Sequence, residues 1–153
     1  MKKSINYSEG TIFALKLRKE GFAIGIVTRV SKSENGIIMA WFSDKRFNEI
    51  PGLARIESIA DFPFKWRIGD LSLIDNTWSV LGQKQNFKSE DWPIPTFIRK
   101  DPFSNKAWEV KYRENDIETI QSETPTDFSR EDLERDSLMG AGSVELKLDK
   151  LVK

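Results

Sequence analysis

The stretch TIFALKLRKEGFAIGIVTRVSKSENGIIMAWF, residues 11–42, decides how the chain folds. In residues 11–17, Phe13, Leu15 and Leu17 fall on one side of an alternating run, as in a strand with one face on a core. Arg18-Lys19-Glu20-Gly21 then form a polar turn, with a glycine free to take positive φ. In FAIGIVTRV, residues 22–30, Phe22, Ile24, Ile26 and Val30 share a side. Asn35-Gly36 is the strongest hairpin signal in the chain. It feeds GIIMAWF, residues 36–42, a third strand. Three strands joined by short turns read as an antiparallel meander.

Downstream the pattern continues with other elements. Pro51 suits the first turn of a short helix over about 51–60, with Leu53, Ile56 and Ile59 on its apolar face. LSLI (71–74), Asp75-Asn76 and TWSVLG (77–82) read as a second hairpin. Gln83-Lys84-Gln85-Asn86 is polar, and Pro93 and Pro95 remove backbone donors. Residues 83–95 therefore read as an extended surface crossing in which Trp92 packs, as Trp78 does before it. TFIR (96–99) and WEVKYRE (108–114) read as two strands around a turn at 102–106.

Composition shifts after residue 113. Between Glu114 and Asp136, Glu114, Asp116, Glu118, Glu123, Asp127, Glu131, Asp132, Glu134 and Asp136 face only Arg130 and Arg135. Ser129 suits a helix N-cap, Asp132 its third position, and Phe128 with Leu133 a hydrophobic staple. The spacing predicts a helix over 130–138, stopped at Gly140. Val144, Leu146 and Leu148 alternate in SVELKLDKLV (143–152) and predict a final strand.

The composition limits the chemistry. The chain has 153 residues, enough for one domain over 1–153 with a sizeable core. Lys plus Arg and Asp plus Glu both count 24, so no global positive field draws it to nucleic acid or an anionic membrane. There is no cysteine, and so no disulfide, thiolate nucleophile or Cys metal site. There is no histidine, which excludes Ser-His-Asp and Cys-His machinery and His-ligated zinc. No run approaches the roughly 18 apolar residues of a membrane span, and no apolar signal segment follows Lys2 and Lys3. A cytoplasmic protein is expected.

Candidate sites are few. Glu131, Asp132, Glu134 and Asp136 could bind a cation through oxygen, but they lack the alternating spacing of a Ca²⁺ loop and equally make i,i+4 ion pairs on a solvated helix. As an acidic face they could instead dock a basic partner. Gly140-Ala141-Gly142-Ser143 lacks the order and the lysine of a phosphate cradle and reads as a loop or helix cap. Phe64-Lys65-Trp66-Arg67 mixes rings and cations as single-strand binders do, but it is one short cluster flanked by acids and reads as an amphipathic barrel edge. No cofactor or metal site is expected.

Four segments resemble the immunity protein 26 family in order. They are Gly10-Thr11-Ile12-Phe13-Ala14-Leu15, Gly21-Phe22-Ala23-Ile24-Gly25-Ile26-Val27, Asn76-Thr77-Trp78-Ser79-Val80-Leu81-Gly82 and Pro95-Thr96-Phe97. Thr11 stands where the family pattern has Asp, and Asn76 where it has Gly. The resemblance covers about residues 8–100. It implies a bacterial immunity protein that binds and neutralises the cognate toxin of a polymorphic toxin system, without catalysis. The alternative it carries is a small organophosphate-hydrolase-like enzyme with a carboxylate or metal site.

Together these readings predict an α+β, mostly β domain. It would be a strongly bent antiparallel sheet or small SH3-like barrel with a C-terminal helix. The toxin-facing surface is expected to include Glu131, Asp132, Glu134, Asp136, Phe87 and Trp92.

Overall fold

The computed structural model describes residues 6–33 and 35–153. Among them are nine strands in two sheets and three α-helices, so the fold is α+β and mostly β. The predicted meander is present as β1 (Thr11–Lys16), β2 (Phe22–Val30) and β3 (Ile37–Phe42). Its register sets Phe13 opposite Gly25 and Ile26 opposite Trp41. Gly36 takes φ +70° in the turn before β3, where a β-carbon would also sit 2.5 Å from the Asp70 carboxylate. Glu34, two residues earlier, lies outside the described residues.

Two more strands extend this sheet on one side and one on the other, in the order β5-β1-β2-β3-β4-β9. β4 (Phe64–Gly69) pairs antiparallel with β3, β5 (Ser79–Gln83) pairs antiparallel with β1, and the two-residue β9 (Leu138–Met139) pairs parallel to β4. Bulges at Ile12/Phe13 and Val27/Arg29 bend the sheet, which does not close into a barrel. β6 (Phe97–Asp101), β7 (Lys106–Arg113) and β8 (Asp116–Thr126) form a second, antiparallel sheet.

The large sheet is buried on both faces, which explains why β2 is an almost continuous apolar run. One face carries Phe13, Leu15, Val27, Ala40, Phe42 and Trp66 under the C-terminal helix. The other carries Ile12, Ile24, Ile26, Met39 and Trp41 against Phe97, Val110, Tyr112 and Ile117 of the small sheet. Gly25 allows the first face to close. A β-carbon there would lie 2.5 Å from Phe13 Cζ and 2.9 Å from Phe42 Cδ1.

The structure corrects four sequence expectations. Residues 71–74 form a short helix, α2 (Leu71–Ile74), with Leu73 buried and Leu71 61% exposed, whereas a strand would put both on one side. β5 consequently pairs with β1 and not with 71–74. The segment read as a barrel edge, Phe64 to Arg67, is a strand with neighbours on both sides.

The helix predicted over 130–138 is absent. The Asp127 carboxylate accepts both the N–H and the hydroxyl of Ser129 at 2.8 Å, so the serine caps nothing. Arg130 chelates Asp132, and the backbone at 134–136 bonds to Ile98 of β6: Ile98 N–H to Glu134 O and Asp136 N–H to Ile98 O, both 2.8 Å. The strand predicted over 143–152 is instead α3 (Ala141–Leu151), entered through Gly140. Val144, Leu148 and Val152 recur every four residues and are buried, while Leu146 is half-exposed. The short helix near 51–60 is present as α1 (Leu53–Glu57), with Ile56 buried.

Candidate partner-binding surface

One arginine organises the surface. Arg29 interrupts the apolar β2 run just after its bulge, and its side chain is almost wholly buried. Its guanidinium donates to the carbonyls of Thr28 (2.9 Å), Trp92 (3.0 Å) and Ser89 (3.1 Å), and to Glu114 Oε2 (3.1 Å). These bonds strap the single 3₁₀ turn at Ser89–Asp91 onto the large sheet and tie it to the β7–β8 turn. A buried charge is tolerated only when its donors are met, and here three carbonyls and a carboxylate meet them.

The strapped turn forms a ridge between two clefts. One, of about 700 Å³, is lined by Tyr7, Arg29, Lys32, Glu90 and Glu114 among others. The other, of about 410 Å³, holds Phe87 and Trp92. Trp92 is half-buried and meets Trp41 at 4.9 Å, Phe62 at 5.6 Å and Phe87 at 6.1 Å between ring centroids. Phe87 and Trp92 therefore stand together, packed on the core from outside.

The four acidic candidates do not form one free face. Glu131 pairs with Lys100 at 3.2 Å and Asp132 with Arg130 at 2.8 Å, and their side chains are 82% and 62% exposed. Glu134 pairs with Lys147 of α3 at 3.1 Å. Asp136 is mostly buried: it accepts the Tyr112 hydroxyl at 2.6 Å and lies 3.7 Å from Arg67. The segment they occupy is a strap that stitches the small sheet to β4 and α3.

The shifted ionisations serve the same stitching. Burial, then the bond to Asp136, pushes the Tyr112 phenol above its usual range, against the pull of Arg67 and Arg99. Burial and Asp70 do the same to Tyr7. The Lys84 ammonium, 2.5 Å away, holds the Glu57 carboxyl below its usual range. Phenols kept neutral beside carboxylates are hydrogen-bond donors and poor bases. Among the described residues no three Asp or Glu side chains converge as a metal-ligand set.

Sequence reasoning missed Arg29, Trp41 and Phe62. Only Arg29 left a signal: it is the one charge inside FAIGIVTRV.

Residues 8–109, more than half of the chain, match the family described as Immunity protein 26. The chain belongs to the immunity protein 26 family. No curated protein and no solved structure matches it. Phe13, Gly25, Trp78 and Phe97, from the segments that resemble the immunity protein 26 pattern, are scaffold. Phe13 stacks on Trp78 at 5.5 Å with rings 1° from parallel, Gly25 makes room for Phe13, and Phe97 is 1% exposed. The Trp78 indole N–H donates to Glu145 of α3 at 2.9 Å. No helix among the described residues is long and apolar enough to cross a membrane.

Proposed function

We propose that the protein binds a cognate toxin domain in a one-to-one complex and blocks it, in the cytoplasm of the cell it protects. Membership of the immunity protein 26 family carries this reading. A stoichiometric inhibitor needs a stiff scaffold and a complementary surface, and affinity comes from a few buried anchors and desolvated charge pairs. The half-buried rings of Phe87 and Trp92 suit anchors, and the outward carboxylates of Glu131 and Asp132 suit a basic partner. Glu134 and Asp136 hold the strap that presents them.

The test begins with the gene immediately upstream, where this reading expects a toxin domain, and co-expresses that domain with the protein. Growth rescue and a one-to-one complex by light scattering are expected. The Glu131→Gln/Asp132→Asn variant should associate more slowly and with a weaker salt dependence. Protection at far below one inhibitor per toxin, or no complex at micromolar concentrations, would refute stoichiometric inhibition.

A further inference from the structure

The cleft beside Trp92 has a chemistry of its own. Trp41, Phe62, Phe87 and Trp92 line it with rings, and Asp61 and Asp91 add two exposed carboxylates. Neither carboxylate has a cation partner among the described residues. Of the two lining lysines, Lys84 is spent on Glu57 at 2.5 Å. Lys65 lies over the Trp41 ring, its Nζ 4.2 Å from the centroid, so one ring of this cleft already holds a cation. No cation covers Phe62, Phe87 or Trp92 among the described residues. With Lys84 offset by Glu57, the lining keeps one carboxylate in excess. Trp41 is nine-tenths buried, and its indole N–H, buried with it, has no acceptor among the described residues.

We propose that this aromatic groove takes a basic segment of the toxin, with a Lys or Arg stem lying on Trp92 and Phe87 and its charged head meeting Asp61 and Asp91. The inference rests on the toxin-binding reading and names where and how the partner is gripped. A cationic side chain fits both halves of the groove: its methylenes cover ring surface and its head is drawn to ring faces and carboxylates together. Arg29, by strapping the Ser89 and Trp92 carbonyls, holds Trp92 and Asp91 in place before the partner arrives, and preorganisation of this kind favours tight binding.

Two experiments separate this idea from the broader one. The first needs no toxin. The acetylated, amidated peptide Gly-Leu-Arg-Leu-Gly is titrated against the intact protein while the five tryptophan indole N–H signals are followed by NMR. Trp41→Phe and Trp92→Phe assign the two signals of interest. Both should shift with the arginine peptide, stay still with its citrulline counterpart, and stay still in Asp61→Asn/Asp91→Asn. Equal shifts with citrulline, no shifts, or larger shifts with a Gly-Leu-Glu-Leu-Gly peptide drawn to Lys65 would overturn the proposal.

The second measures toxin affinity. Asp61→Asn/Asp91→Asn changes only exposed side chains, so the fold should persist by circular dichroism. Binding should weaken by about tenfold or more. A change below about twofold, with wild type binding normally, overturns the groove and leaves toxin binding intact. If wild type binds no toxin, the broader reading falls, and the peptide titration alone decides the groove.

Discussion

The two faces of the large sheet are both rich in aromatic rings, yet one is closed and the other is open. Beneath α3, Phe13 lies flat on Trp78, Phe42 meets Phe13 edge-on at 5.7 Å, and Val144 and Leu148 seal the cluster with no exposed surface. On the opposite face the small sheet covers only part of the area. The remainder falls to Phe47, Ile56 and Phe62, and to Trp92 and Phe87, both partly buried on a polar crossing strapped by Arg29. The closed face holds Phe13 and Trp78 of the segments that resemble the family, while Phe97 of those segments lies on the other face. The open face holds the ones proposed to grip a partner. Aromatic content alone does not separate these roles; it is the backbone carrying each ring, helix and strand in one case and strapped crossing in the other, that does.

The largest test of this contrast is a pair of truncations. Trp78→Ala should cost about 3–5 kcal/mol in urea unfolding, since it empties a closed cluster and strands Glu145. Trp92→Ala should cost roughly 1–2 kcal/mol, because that ring is only partly buried. Equal losses would erase the distinction. Arg29→Met comes next, at about 2–3 kcal/mol, because the Ser89 and Trp92 carbonyls lose a charged donor. Its signature is local: amide exchange should quicken at Asp91 and Trp92, whose N–H groups bond within the strapped turn, before any change in α3.

Smaller effects mark the strap on the open side. Tyr112→Phe removes the hydroxyl shared by Asp136 and Arg67 and should cost about 1 kcal/mol. Tyr7 and Tyr112 are the only tyrosines, and both phenols are pushed above their ordinary value. A folded-state value above the unfolded one near 10 means that their contribution is complete below about pH 10 and is lost as pH rises through the folded range. Tyrosinate absorbance at alkaline pH should therefore appear together with unfolding; an earlier rise would show the strap to be loose. The smallest effect belongs to Phe103, fully exposed at the tip of the β6–β7 turn. Phe103→Ala should move stability by less than about 0.5 kcal/mol, since the ring lies outside both clusters.

The meander, the β6–β7 pair and the fold class were legible because each rests on short-range pattern and turn chemistry. The C-terminal elements were not. In residues 143–152, Val144, Leu148 and Val152 fit both a two-residue and a four-residue repeat, and only contact with Phe13's side of the sheet selects the helical spacing. Residues 116–126 hold few apolar side chains, and they became a strand because β7 offered them an edge. At 130–138 a good N-cap pattern lost to Asp127 and to the free edge of β6, whose backbone groups need partners. The candidate site divided the same way. Phe87 and Trp92 stand side by side as surface rings, while the carboxylates at 131–136 proved to be matched: Asp132 with its near neighbour Arg130, and Glu131, Glu134 and Asp136 with lysines, an arginine and a tyrosine farther along the chain.

By itself the sequence determined a mostly β scaffold with a family pattern written in buried rings and glycines, and it ruled out histidine and cysteine chemistry. Alternation, turn residues and missing residue types are local properties, readable one segment at a time. Tertiary structure alone decided which apolar repeat became the last helix, which carboxylates were neutralised, and that Arg29 pins a crossing to leave an aromatic groove open. Most of those outcomes depend on partners distant along the chain, 60 or more residues for Arg29 with Ser89 and Trp92, and hydrogen-bond satisfaction across such distances has no local signature.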